Sequence, residues 1–194
     1  MKFDYTGRGG CGIDFGILSG NEKIIFIKAG LGGSHVGEGD KYLRLAHRLR
    51  DAVGCSVIAV SNPEEPRTQT DTDRAILEGY IKEMGLASPH LLFFGHSNGG
   101  IKGLELGASG IPFERMVLTN MPLMINFHKT KRYISLLEDT AITIAYGSRD
   151  PSYSYIPFIE GRYKNLRVLR IEGADHGFTG MEEEQLALDE ILIK

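Results

Sequence analysis

Six short apolar runs constrain the fold of this chain more than any other feature. They are Lys23–Ala29 (KIIFIKA), Ser56–Val60 (SVIAV), Leu91–Phe94 (LLFF), Met116–Thr119 (MVLT), Ala141–Tyr146 (AITIAY) and Leu166–Ile171 (LRVLRI). Each is nearly continuous in apolar character rather than alternating. That pattern belongs to strands covered on both faces, as in a parallel sheet. Helical spacing fills the gaps. Lys41–Ala52 carries Leu43, Ala46 and Leu49, and Thr72–Met84 carries Ala75, Ile76, Gly79 and Tyr80, with Asp71 or Asp73 as a candidate N-cap. Asn98–Gly107 reads as a glycine-rich helix, Tyr133–Leu137 and Tyr155–Tyr163 as shorter ones, and Met181–Ile193 as a helix with an acidic start. Strand and helix alternate. The expected class is therefore α/β, a mostly parallel sheet with helices on both faces and right-handed crossovers. Ahead of the first run, Phe3–Gly20 is broken by glycine and reads as a β-hairpin. No repeat, low-complexity tract or linker divides the chain. The expectation is one domain over 1–194, with a hairpin at 1–20 and the α/β core at 21–194.

Composition narrows the function classes. Of the 194 residues, 42% are hydrophobic and 24% charged, as expected of a chain that buries a core. A net charge of −3 gives no basic footprint for nucleic acid. Cys11 and Cys55 are far apart and form no CxxC, which excludes a disulfide scaffold and a cysteine-rich zinc site. No apolar stretch is long enough for a signal peptide or a membrane span, so the expected location is cytoplasmic. Glycine is the outlier, with 25 residues clustered at 7–12, 30–39 and 95–103. Such clusters mark tight turns or close approach of backbone to a ligand.

Gly95-His96-Ser97-Asn98-Gly99 fits G-x-S-x-G. It directly follows LLFF and opens a helical segment, the strand–turn–helix setting of a nucleophile elbow. There the serine sits on a strained turn, and side chains two residues either way would meet neighbouring backbone. Gly100 and Gly103 extend the small surface along the next helix, which suits close packing on the sheet.

A serine hydroxyl needs an imidazole base, and the imidazole needs a group that fixes its tautomer. The chain supplies both at strand ends. AITIAY leads into Gly147-Ser148-Arg149-Asp150, and LRVLRI leads into Glu172-Gly173-Ala174-Asp175-His176. Ser97, Asp150 and His176 thus each lie just beyond the carboxyl end of a predicted strand, the edge at which open α/β sheets bind ligands. Asp175 is the fallback acid, since adjacent side chains rarely meet in triad geometry. His96 should point away from Ser97 and reads as structural. Acyl transfer also needs donors for a developing oxyanion. The Asn98 N–H, at a helix N-terminus, is one candidate. Leu31, in the loop Gly30-Leu31-Gly32-Gly33-Ser34-His35 after the first core strand, is the second.

With GLGGS, GHSNGG, GSRD and GADHGF in this order, the chain resembles the α/β-hydrolase superfamily over about residues 23–194. The resemblance implies a small serine hydrolase with Ser97, Asp150 and His176 as triad, acting without cofactor or metal on a small-molecule ester or thioester. Two features depart from many members. Ala29-Gly30 stands where they carry His-Gly, and only about 20 residues, 120–140, separate the strands between which they insert a lid. A lidless, open site is expected. Acyl transfer, perhydrolysis and C–C hydrolysis use the same triad, and a non-catalytic binding module shares the fold.

Weaker signals remain. Gly7–Gly12 fits G-x-G-x-x-G but lacks the strand before and the helix after it that a dinucleotide site needs. His128, Lys129, Lys131 and Arg132 form a basic cluster that reads as solvated surface. Gly32 and Tyr153 are candidate substrate contacts. Tyr153, Tyr155 and Phe158 fit either an acyl pocket or a core-facing stripe.

Overall fold

The computed structural model describes residues 1–64 and 69–193. Among these residues eight strands form one sheet: β1 (Tyr5–Arg8), β2 (Asp14–Leu18), β3 (Asn21–Lys28), β4 (Cys55–Val60), β5 (His90–His96), β6 (Arg115–Thr119), β7 (Ala141–Gly147) and β8 (Leu166–Ile171). Their order across the sheet is β1-β2-β4-β3-β5-β6-β7-β8. From β4 to β8 every pairing is parallel. The expected hairpin exists as β1 and β2, and it is part of the sheet, because β2 pairs antiparallel with β4.

Among the described residues the α-helices are α1 (Lys41–Val53), α2 (Gln69–Glu83), α3 (Asn98–Ala108), α4 (Leu123–Leu136), α5 (Glu182–Leu186) and α6 (Glu190–Ile193). They cover both faces. The pleat divides the strand side chains by parity. Ile24, Phe26, Ile58, Leu91 and Phe93 face α2, α3 and α4, which contribute Leu77, Leu104 and Ile134. Ile25, Ile27, Val57, Leu92 and Phe94 face α1 and the C-terminal helices, which contribute Leu45, Leu49 and Leu192. This two-sided cover is why the strands read as continuous apolar runs. Each such buried side chain contributes about 1.5–3 kcal/mol over leaving it exposed.

The helical boundaries differ in three places. The segment read as a short helix at Tyr133–Leu137 belongs to the longer α4. Leu123, Thr130 and Ile134 are its buried residues, a spacing that charged neighbours obscure, and a kink at Asn126 (φ −122°) interrupts it. Tyr155–Tyr163 is no α-helix. A 3₁₀ stretch, Tyr153–Phe158, holds Pro157, which lacks the N–H a helix interior needs. The C-terminal helix is divided into α5, one 3₁₀ turn at Ala187–Asp189, and α6. Between β6 and β7 stands α4, with no inserted domain. No helix among the described residues is long and apolar enough to cross a membrane.

Candidate active site

The carboxyl ends of β3, β5, β6, β7 and β8 lie along one edge of the sheet, and the chemistry-bearing residues gather there. Ser97 occupies the turn between β5 and α3 at φ 52°, ψ −125°. This left-handed conformation is costly for a residue with a Cβ and marks stored strain. Two glycines make it feasible. A Cβ on Gly95 would lie 2.8 Å from Gly100 N, and one on Gly99 would lie 2.3 Å from Lys28 O and 2.4 Å from Ala29 O. Glycine at both positions lets α3 start directly against the end of β3.

His176 lies in the loop after β8. Its Nε2 is 2.9 Å from Ser97 Oγ and its Nδ1 is 2.5 Å from Asp150 Oδ2. The carboxylate can only accept from Nδ1, which places the imidazole proton there and leaves Nε2 to accept from the serine hydroxyl. Asp150, in the turn after β7, is 5% exposed. Its other oxygen accepts the Ser152 N–H at 2.7 Å, so both oxygens are committed. The His176 side chain is 45% exposed, open to solvent on the serine side. The hydrogen bond with Asp150 holds the His176 pKa above the usual imidazole value against the opposing effect of burial. Asp175 does not join this line. Its carboxylate accepts the Thr179 N–H at 2.8 Å and closes its own loop.

The Gly30–Gly33 turn adjoins the serine, and a Cβ on Gly30 would lie 3.4 Å from Ser97 Cβ. Among the described residues, neither the Leu31 N–H nor the Asn98 N–H donates to a protein acceptor. Leu31 lines the cavity, and Asn98 follows Ser97 as the first residue of α3. Gly32 adopts φ +73° and donates its N–H to Asn62 O at 2.7 Å. It shapes the turn rather than the cavity wall. Tyr153 packs against the core and is likewise absent from that wall. The cavity, about 390 Å³, is lined by Leu31, Glu38, Lys41, Tyr42, Ser97 and His176 together with His96 and three glycines.

Several positioning residues carry no sequence motif. Asn62, buried after β4, donates from Nδ2 to Ala29 O at 2.9 Å and to Asn98 Oδ1 at 3.2 Å. It also exchanges backbone bonds with Gly32 and Gly33, so it joins the turn to the start of α3. Asn120, buried after β6 at φ 46°, donates to the carbonyls of Asp175 and His176 at 2.8 and 2.9 Å. Its Oδ1 accepts the Gly147 N–H at 2.8 Å. One side chain thus ties the loop carrying His176 to the strand leading to Asp150. The only advance signal for either residue was an asparagine one or two positions past a strand end.

Two further groups lie beneath the edge. His96 is buried, with its ring centre 5.6 Å from that of His176. Burial pushes its pKa down to about 3, so it is neutral and adds no repulsion to His176. Gln185 Nε2 lies 3.1 Å from both His96 Nδ1 and Thr119 Oγ1, tying α5 to the site. On the opposite face, Lys28 Nζ donates to Asp73 Oδ1 at 2.7 Å and to Ser61 O at 2.8 Å. Asp73 is therefore an ion-pair partner inside α2 and not its cap, because the helix begins at Gln69. Burial raises Asp73 to about 6 and lowers Lys28, each against the stabilising charge of the other.

The strand order, the strand-to-helix turn at Ser97 and the loops after β7 and β8 define the α/β-hydrolase fold, and solved structures agree. Est1E from Butyrivibrio proteoclasticus superposes with a TM-score of 0.74 at 13% identity, covering 97% of both chains. An alpha-beta serine hydrolase homologue from Coxiella burnetii gives 0.71 at 14% identity, covering 97% of this chain and 96% of that one. Dienelactone hydrolase from Anabaena variabilis gives 0.71 at 16% identity, covering 99% and 96%. No family model and no curated protein sequence matches the chain.

Proposed function

We propose that this chain is a serine hydrolase that cleaves a small carboxylic ester or thioester through an acyl-enzyme. The observation that carries this reading is the continuous hydrogen-bonded line from Ser97 Oγ through His176 to Asp150. In the proposed cycle, Ser97 Oγ attacks the carbonyl carbon while His176 Nε2 takes its proton. The tetrahedral oxyanion is held by the Leu31 and Asn98 N–H groups, aided by the positive end of α3. Collapse expels the alcohol or thiol, which leaves with the proton from His176. Water, deprotonated by the same nitrogen, then attacks the acyl-serine, and the acid and Ser97 are released with their protons restored. Asp150 keeps Nδ1 protonated and stabilises the imidazolium throughout. The proposed setting is the cytoplasm, and the proposed substrate is small, in keeping with a cavity of about 390 Å³.

The test is turnover of p-nitrophenyl acetate and of a short acyl thioester, wild type beside Ser97→Ala. The reading expects saturable hydrolysis by wild type and none above background by the variant, with unchanged melting. Equal rates for both proteins would refute it.

A further inference from the structure

Among the described residues Lys41 is the one lysine that lines the cavity holding Ser97 and His176. Its placement runs against local electrostatics. It is the first residue of α1, where the helix macrodipole presents its positive end and favours an anion rather than a cation. The loop before it is strained. Gly37, Gly39 and Asp40 all have positive φ (73°, 58° and 59°), and Asp40 carries the Cβ that makes this region costly. The same loop packs against the lysine stem, since a Cβ on Gly37 would lie 2.7 Å from Lys41 Cγ.

The ammonium makes no direct ion pair. Among the described residues no carboxylate oxygen lies within 4 Å of Lys41 Nζ. Its contacts are Gln185 Oε1 at 3.5 Å and the Tyr42 ring centre at 5.3 Å. Lys28, Lys102 and Lys129 by contrast each have a carboxylate partner at 2.7–3.4 Å. Burial lowers the Lys41 pKa against the more distant charges of Glu38 and Glu182, neither of which contacts the ammonium. A half-buried cation facing a reaction cavity gains most from an anion supplied by the ligand. Glu38, exposed on the same cavity, limits that anion to a single negative charge, because a dianion would meet like charge there.

We propose that Lys41 binds a carboxylate carried by the substrate, so that the bond broken at Ser97 belongs to a carboxylate-bearing ester such as the monoester of a short dicarboxylic acid. This inference rests on the hydrolase reading of Ser97 and specifies its substrate class. Carboxylate and ester carbonyl enter together: the carboxylate takes the ammonium, and the carbonyl oxygen reaches the Leu31 and Asn98 N–H groups.

The test compares kcat/KM for p-nitrophenyl hydrogen glutarate with that for p-nitrophenyl butyrate. Wild type should prefer the charged ester at least tenfold. Lys41→Met should bring the ratio close to one, Lys41→Arg should restore part of it, and 0.5 M NaCl should reduce it in wild type. A ratio near one in wild type, or an unchanged ratio in Lys41→Met, overturns the proposal. A second arm separates it from the hydrolase reading. Monomethyl glutarate binding to Ser97→Ala, followed by calorimetry, should weaken at least tenfold when Lys41→Met is added. That result beside an inert wild type would support the anion site and reject the hydrolysis. Equal binding with and without Lys41 would reject the anion site whatever the turnover.

Discussion

Two acid–base pairs lie close to the same edge of the sheet and do opposite things. Lys28 and Asp73 are sealed, with side chains 0% and 2% exposed, and the lysine spends a further bond on Ser61 O. His176 and Asp150 share a comparable hydrogen bond, but the histidine is 45% exposed and its second nitrogen faces Ser97. In the first pair the ammonium is spent on Asp73 of α2 and on the Ser61 carbonyl just past β4, which holds β3 against both. In the second, one nitrogen is left for a partner whose proton can move. Burial alone therefore does not mark chemistry. A buried carboxylate with one open end of its partner does.

The largest expected effect falls on the open pair. His176→Ala should lower kcat by about 10⁴-fold or more, the scale seen when a triad member is lost. Its melting temperature should stay within a few degrees, since the imidazole is half exposed. Steady-state kinetics with a calorimetric melt would show both. Asp150→Asn should cost about 10³–10⁴-fold, and it should also move the pH profile. Catalysis needs neutral His176, so in wild type kcat/KM should rise with pH through a midpoint above 6.5, the ordinary imidazole value. Removing the carboxylate should shift that midpoint downward. The sign for stability is the reverse. The charged His176–Asp150 pair stabilises the fold fully below the unfolded histidine pKa, and that stabilisation fades as pH rises through the folded one.

The sealed pair should fail differently. Asp73→Leu and Lys28→Met each leave a buried charge without its counter-ion, and each should destabilise by about 3–5 kcal/mol. Lys28→Met with Asp73→Leu removes both charges and should cost less than either single change, as read by urea titration of all four proteins. A double variant as weak as the sum of the singles would mean that the two charges act independently. The smallest effect belongs to Asn120. Asn120→Ala leaves the Gly147 N–H and two loop carbonyls without their partner, for a loss of about 1–3 kcal/mol. Because it positions His176 rather than reacting, kcat should fall more than KM rises.

Much of this was legible before any coordinates. The continuous apolar runs located the core strands because burial on both faces leaves no polar alternation. The order Ser97, Asp150, His176 could be read because each follows such a run. What could not be read is what depends on the packing of distant segments. Asp73 looked like a helix cap because its partner, Lys28, is 45 residues away and reaches it only across the sheet–helix interface. Asn120 and Asn62 have no motif, since their value lies in three or four backbone atoms brought near by separate loops. Tyr153 looked like a pocket wall because it follows Asp150, but the 3₁₀ turn carries it back against the core. Charged residues masked the buried stripe of α4 and shortened its apparent length.

The central claim is that Ser97 is activated by His176 in the resting protein. Labelling by a fluorophosphonate, read by intact mass, addresses it without any choice of substrate. The account predicts a single adduct on wild type, none on Ser97→Ala, and at least a hundredfold slower labelling of His176→Ala. Equal labelling of wild type and Ser97→Ala, or an unlabelled wild type, would contradict it.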